Sequence, residues 1–157
     1  MTDTEYFSEH QSLAPRIMGL AALSTALVGL YAFIETKDVP DAEIGLLIIA
    51  GALIFMFIMY RFMGLRTIVT DDGVRVKGLL FINRVIAFDL IASSEKREYK
   101  PLGEYGGWGY RIGPSGKAYN AQGNEGVQLV LKDGGRILIG SQRADELAEV
   151  IGARLTI

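Results

Sequence analysis

The densest set of side chains that could bind a partner lies between residues 105 and 120, where aromatic and polar residues are interspersed with glycines. Tryptophan, tyrosine and arginine dominate the energetic hot spots of protein interfaces, since they bury much surface and carry hydrogen-bonding groups. The sequence therefore predicts a partner-binding face here, formed by Tyr105, Trp108, Tyr110, Arg111, Tyr119 and Asn120. Two alternatives stay open: the rings cover one end of a β-sheet while the glycines make the adjoining bends, or the cluster lines a small-molecule pocket.

A second candidate site is a basic group in a charged stretch that we expect to form an edge or solvent-facing strand. Lys96, Arg97 and Lys100 lie there. Close to a membrane, each cation contributes about 1 kcal/mol of attraction to anionic lipid. These three residues are therefore the predicted lipid-binding residues, and the alternative is a solvated strand whose charges discourage edge-to-edge pairing.

The sequence has few of the residue types that catalytic and metal sites use. It contains no cysteine and one histidine, His10, which excludes thiolate catalysis and disfavours a zinc site. The run 113–117 is not a phosphate-binding loop, because Arg111 stands where that loop needs glycine and Ala118 where it needs serine or threonine. We expect no enzyme activity, no metal, no cofactor and no nucleotide. An enzyme that uses Asp, Tyr or Lys is a weaker hypothesis.

The charge of the C-terminal part is close to balanced. Residues 66–157 carry 13 basic and 11 acidic side chains. Binding to nucleic acid usually relies on a broad basic surface. The balance therefore predicts that nucleic acid is not a partner.

Two apolar runs without any charged residue occupy most of the first 65 positions, Ile17–Ile34 and Ile44–Tyr60. Each is about as long as a helix must be to cross roughly 30 Å of hydrocarbon at about 1.5 Å per residue. The sequence thus predicts a transmembrane hairpin over residues 16–64 after a polar tail, 1–15. That tail has no basic residue before Arg16, so it does not resemble a secretory signal peptide.

The charges that flank the runs predict the orientation. An acidic loop, 35–43, joins the two runs, with turn chemistry at 38–40, whereas Arg16, Arg61 and Arg66 flank the opposite ends. Basic residues near span ends favour the cytoplasm. We therefore expect a multi-pass protein of the bacterial plasma membrane with both termini in the cytoplasm.

Small residues recur at four-residue spacing within the first run, from Ala22 to Ala26 and from Thr25 to Gly29. This spacing lets helix backbones approach closely. The two helices of the hairpin are expected to pack on each other, and assembly with another membrane protein is the alternative.

Residues 65–157 show the short alternating apolar pattern of a β domain. We expect hairpin turns at 71–73 and 132–135, and a final amphipathic helix over 144–155 with Ser141 as its N-cap. The expected fold is α+β: about seven strands in a small antiparallel sheet, bent or closed, and plugged by the helix. The expected strands are 66–70, 74–79, 83–90, 92–100, one or more within 103–126, 127–131 and 136–139.

Four short motifs carry a family resemblance: Tyr105-Gly-Gly-Trp-Gly-Tyr-Arg111, Lys117-Ala-Tyr-Asn120, Gly126-Val-Gln-Leu129 and Ile139-Gly-Ser-Gln142. With the two runs, they resemble a group of uncharacterised bacterial membrane proteins that have two transmembrane helices and a pleckstrin-homology-like cytoplasmic domain. The resemblance implies a PH-like antiparallel barrel or sandwich capped by a C-terminal helix, and it carries over no catalytic residue. Eukaryotic pleckstrin-homology domains grip phosphoinositides with basic residues in an early hairpin. The corresponding turn here, 71–73, is acidic, which argues against that ligand.

Together these observations predict a non-enzymatic, membrane-anchored interaction or scaffold module. Its Gly- and aromatic-rich face would bind a protein partner or another copy of the chain. The alternative is an anionic-lipid-sensing accessory subunit of a membrane complex, with Lys96, Arg97, Lys100 and Arg111 on the head groups.

Overall fold

The structure is a computed structural model that describes residues 4–36, 42–62, 64–78 and 81–156. The chain forms two compact units. One comprises the helical segment Ala14–Phe62, and the other combines the N-terminal residues up to Leu13 with the whole C-terminal part from Met63 onward.

The helical unit confirms the two predicted apolar helices. Helix α1 spans Pro15–Thr36 and helix α2 spans Ala42–Phe62, and both are long and apolar enough to cross a membrane. Neither helix is buried in protein: Leu20 and Leu47, for example, are 68% and 71% exposed. Such an apolar surface needs an apolar environment. The turn expected at 38–40 lies outside the described residues.

The two helices of this unit pack through small residues of α1, in agreement with the predicted spacing. Gly29 is the buried residue of α1, and a Cβ atom there would lie 2.8 Å from two side-chain atoms of Ile49. The Thr25 hydroxyl lies 4.0 Å from the sulfur of Met56. Close approach at Gly29 therefore sets the helix contact.

The second unit is an α+β domain with two sheets. The first sheet has the strand order β1-β2-β3-β4, and the second has the order β5-β8-β9-β7-β6. The strands are β1 Phe7–Gln11, β2 Leu65–Thr70, β3 Gly73–Gly78, β4 Ile82–Ile86, β5 Ile91–Glu98, β6 Gly109–Gly113, β7 Gly116–Asn120, β8 Glu125–Leu131 and β9 Arg136–Gly140. Two helices complete the unit, α3 at Pro101–Tyr105 and α4 at Ala144–Leu155.

The two sheets and α4 share one core. Val69 and Val76 of the first sheet meet Val127 and Ile139 of the second, and Leu147 of α4 packs among them. Because side chains alternate along a strand, each sheet directs every second residue into this core. We call that side of each sheet its inner face and the other side its outer face.

Both predicted hairpin turns and the predicted C-terminal helix are confirmed. Asp71 and Asp72 form the turn between β2 and β3, and β8 and β9 are joined through Gly134, whose φ is +84°. Helix α4 covers the expected residues 144–155. The N-cap differs: it is Arg143, and the Ser141 hydroxyl accepts a hydrogen bond from the Arg143 N–H at 2.9 Å.

The strand count and pairing differ from the expectation of about seven antiparallel strands. Nine strands lie within the described residues, and β7 pairs with β9 in parallel. One additional strand, β1, comes from the segment expected to be a tail. Its inward residues include the polar Glu9 and Gln11, so the segment lacks the apolar alternation that marks a strand.

The stretch between β4 and β6 also departs from the predicted elements. The strand expected over 83–90 ends at Ile86, and a short 3-10 turn follows at 88–90. The strand expected over 92–100 ends at Glu98. Helix α3 follows because Pro101 suits a first helical position, and Gly106, with a φ of +70°, suits the left-handed C-cap. The expected extension of the second strand to Leu79 lies outside the described residues.

Candidate partner-binding site

The six predicted partner-binding residues lie near one end of the second sheet, but on two different faces. Tyr110 of β6 pairs with Tyr119 of β7, and their rings stack on the inner face with centroids 5.1 Å apart. Arg111 and Asn120 follow these residues directly and therefore occupy the outer face. The six residues consequently do not form one continuous surface.

Three of the six side chains are buried in the folded domain. Tyr105, Tyr119 and Asn120 are 5%, 2% and 0% exposed. Tyr119 belongs to the main core, and Tyr105 packs with Tyr99 in a smaller cluster on the outer face of the second sheet. A partner that binds the folded domain therefore meets Trp108, Tyr110 and Arg111.

Trp108, Tyr110 and Arg111 lie on or directly before β6, the edge strand of the second sheet. The Trp108 indole N–H donates to the Gly123 carbonyl at 3.0 Å, which fixes the ring beside the strand. Tyr110 is 38% exposed, and Arg111 is exposed with no carboxylate partner among the described residues. Two glycines lie next to the Arg111 guanidinium, at positions 107 and 109.

The edge strand β6 adds apolar surface beyond the six predicted residues. Ile112 of β6 and Leu102 of α3 are both 71% exposed. Within its sheet, β6 pairs only with β7, so alternate N–H and C=O groups of β6 point away from its sheet. The alternation of Tyr110 and Ile112 indicated a strand, but the sequence did not show that this strand lies at an edge.

The buried residues of the cluster position β6. The Asn120 side-chain carbonyl accepts a hydrogen bond from the Gly109 N–H at 2.9 Å, at the first residue of the strand. The Asn120 amide nitrogen and the hydroxyls of Tyr99 and Tyr105 are buried without a hydrogen-bond partner. Burial raises the pKa of Tyr99 to about 12, although the nearby Asn120 amide partly offsets this, and burial also raises the pKa of Tyr105. Both hydroxyls are therefore uncharged at neutral pH.

The predicted lipid-binding residues are largely engaged within the domain. Lys96 contacts Asp145 at 2.7 Å, and this hydrogen bond raises the Lys96 pKa. Arg97 forms an ion pair with Glu104 and donates to Gln128 at 3.0 Å. Lys96 and Arg97 are thus both in ion pairs. Lys100 differs from them, since the described residues contain no carboxylate partner for it.

Glu104 holds α3 against the preceding strand. Its carboxylate accepts the Lys100 backbone N–H at 2.9 Å and also pairs with Arg97. The Lys100 N–H, followed by Arg97, holds the pKa of Glu104 below its usual range. The arrangement places Tyr105 in the outer-face cluster next to β6.

Within the residues that the structure describes, no cluster of three or more His, Asp or Glu side chains could hold a metal ion. Comparison of the chain with protein-family models, curated proteins and solved structures gave no match.

Proposed function

We propose that the protein is a non-enzymatic, membrane-anchored interaction module whose β6 edge binds an extended segment of a partner protein or of a second copy. One observation carries the proposal: β6 is an edge strand whose central residues Tyr110, Arg111 and Ile112 are all exposed.

Strand addition fits this geometry. A peptide that joins a sheet edge gains main-chain hydrogen bonds, while alternate side chains supply specificity. On β6, Tyr110 and Ile112 would offer apolar contacts on one face, and Arg111 would offer charge on the other. Natural proteins usually protect exposed apolar edges, so an exposed edge with Ile112 71% accessible supports a binding role.

The pairing of β1 with β2 supports the anchoring part of the proposal. Gln11 pairs with Leu65, so the chain leaves this sheet before α1 and returns to it after α2. A sheet forms on one side of a bilayer, and a segment that starts and ends there crosses an even number of times. Two spans with both termini on one side satisfy this condition, and Arg16, Arg61 and Arg66 favour the cytoplasm of a bacterial cell.

The pleckstrin-homology-like fold is also part of the proposal. Two sheets around one core, followed by the C-terminal helix α4, support it. The parallel pairing of β7 with β9 departs from the all-antiparallel arrangement that the resemblance implies.

The test is site-specific photo-cross-linking of the full-length protein in its native membrane. A photoreactive residue at Ile112 is compared with one at Glu149, an exposed position on α4. The proposal predicts a discrete cross-linked product from position 112 and none from position 149. A lone, uncross-linked monomer, confirmed by the particle mass in mild detergent, would contradict it.

A double variant tests the role of the side chains. Trp108→Ala with Arg111→Ala should lower the yield of that cross-link, because large side chains beside the added strand are lost. The matched control is Asp133→Ala with Arg136→Ala on the exposed β8–β9 hairpin, where both side chains are exposed. Equal yields from the two variants would show that the proposed face is wrong.

A further inference from the structure

The outer face of the first sheet carries a row of basic side chains in register. His10 of β1 pairs with Arg66 of β2, and Arg66 pairs with Lys77 of β3. Asn83 of β4 ends the row. Directly opposed residues of antiparallel strands have Cβ atoms about 5 Å apart, so Arg66 and Lys77 are held side by side by the backbone.

This row lacks compensating negative charge. Among the described residues, none of Arg66, Lys77 and Arg75 forms an ion pair. Arg75 lies in the next row of the same face, between Ile68 and Val85, and its Nε atom is buried without a hydrogen-bond partner. Like charges directly opposite on a sheet are destabilising, so the face is complementary to an external anion.

The row lies at the end of the sheet from which the chain continues into both apolar helices. One residue beyond the row, Gln11 pairs with Leu65. Three residues join Gln11 to α1, and two join α2 to Leu65. At about 3.5 Å per residue, these links reach no further than about 14 Å.

An exposed aromatic residue lies at the same end of the sheet. Phe81 is 94% exposed and comes directly before Ile82, which pairs with Gly78. Gly78 in turn pairs with Leu65, and Leu65 pairs with Gln11. Phe81 therefore lies next to the last paired residues of the sheet, one residue beyond the basic row. An isolated phenyl ring has no stabilising partner in water, but it is favoured at a membrane interface.

We infer that this end of the first sheet binds anionic phospholipid, with phosphate groups between Arg66 and Lys77 and the Phe81 ring among the upper acyl chains. The inference rests on the proposed membrane anchoring but is independent of the β6 edge. The lipid contact thus lies on a different sheet from Lys96 and Arg97 of β5 and does not involve Lys100. The lipid contact also lies at the end of the β2–β3 hairpin that is opposite the acidic turn at 71–72.

Fluorescence of a single tryptophan tests the position of Phe81. The chain has one tryptophan, so Phe81→Trp with Trp108→Phe moves the only reporter to the proposed interface. In full-length protein reconstituted into phosphatidylcholine bilayers, we expect blue-shifted emission that brominated acyl chains quench. The matched control, Asp72→Trp with Trp108→Phe, places the reporter in the exposed turn at the opposite end of the sheet and should show neither effect.

The same reporter measures the preference for charge. Brominated phosphatidylglycerol should quench the Phe81→Trp reporter at lower mole fraction than brominated phosphatidylcholine does. Arg66→Gln with Lys77→Gln should reduce this preference by about 25-fold, since each of the two cations near an anionic surface contributes a factor of about five. Lys132→Gln with Arg136→Gln, which removes equal charge elsewhere, should leave the preference unchanged.

Two results would overturn the inference. One is an emission from the Phe81→Trp reporter that is typical of water and that brominated lipid does not affect. The other is a preference for anionic lipid that survives the loss of Arg66 and Lys77.

If that double variant does not fold, added salt provides the test on the protein that keeps Arg66 and Lys77. About 0.5 M NaCl should remove the preference for anionic lipid, because exposed charges are screened within a few ångström at that concentration. A preference that persists in salt also contradicts the inference. None of these outcomes bears on cross-linking from β6.

Discussion

The carboxylate of Glu9 accepts a hydrogen bond of 2.5 Å from the hydroxyl of Ser141, across 132 positions of sequence. Its second oxygen accepts the Gln142 backbone N–H at 2.8 Å, and the side chain is 8% exposed. Gln11 makes a parallel contact, as its amide donates to the Gly140 carbonyl at 2.9 Å. The first strand is thus joined to the segment that leads from β9 into α4.

Glu9→Ala should destabilise the β domain by about 2–3 kcal/mol, because it removes a charge-assisted contact and leaves the buried Ser141 hydroxyl without its acceptor. The measurement is urea unfolding of the full-length protein, followed by the fluorescence of Trp108. Glu5→Ala is the matched control, since Glu5 is exposed. Equal midpoints for the two variants would show that the Glu9 contact contributes no net stability.

The raised pKa of Tyr99 predicts alkaline unfolding. Its pKa is about 12 in the folded state and about 10 in the unfolded state, so the folded state binds the phenolic proton more tightly. The stabilisation that results from this tighter proton binding is fully present below pH 10. About 3 kcal/mol of it is lost as the pH rises from 10 to 12.

Tyr99→Phe should weaken the pH dependence of the unfolding free energy between pH 10 and 12. At pH 7 it should change stability by less than about 1 kcal/mol, because the hydroxyl has no hydrogen-bond partner. An unchanged alkaline profile would contradict the assignment.

Gly140→Ala should disturb the second sheet. A Cβ atom there would lie 2.8 Å from Cβ of Asn120 and 3.1 Å from the hydroxyl oxygen of Tyr99, both of them buried. We expect a loss of about 1–3 kcal/mol from overpacking. Gly152→Ala in α4 is the control, since a Cβ atom there meets nothing within 4 Å and alanine favours a helix by about 1 kcal/mol. The two variants should therefore shift the unfolding midpoint in opposite directions.

Gly29→Leu should separate α1 from α2, because Gly29 is the point where Ile49 approaches the α1 backbone. The chain has no cysteine, so a Thr25→Cys, Met56→Cys pair can report the helix contact through its disulfide yield in membranes. Gly29→Leu should lower that yield. Gly19→Leu, at a position with open space around the Cβ site, should not. Equal yields would show that Gly29 does not control the packing.

Much of the fold could be predicted from sequence because its signals are local. Unbroken apolar runs indicated α1 and α2, Asp71-Asp72-Gly73 indicated a hairpin turn, and the apolar stripe over 144–155 indicated α4. The first strand was missed because its inward positions include Glu9 and Gln11. Their partners, Ser141 and Gly140, lie more than 120 residues away in sequence.

The candidate site was predictable only in part, for a geometric reason. Composition indicated a cluster of aromatic and polar residues, but pairing decides which of them reach the surface. The β6–β7 register directs Tyr110 and Arg111 to opposite faces, and it buries Tyr119 and Asn120. The exposure of Ile112 depends on β6 being the last strand of its sheet, which is a property of the topology.

The pairing of β1 with β2 also orders the biogenesis of the chain. Residues 7–11 leave the ribosome before their partners at 65–69, which follow both apolar helices, and Ser141 comes later still. The first strand therefore stays unpaired until both apolar helices and β2 have been synthesised. Under the proposed anchoring, it completes the sheet only if its end of the chain stays on the side of the membrane where the C-terminal part emerges. Under that arrangement, a chain with an inverted first helix would keep β1 across the bilayer and leave β2 as an exposed edge that can pair with other chains. Folding of the β domain would then depend on correct insertion of the first helix.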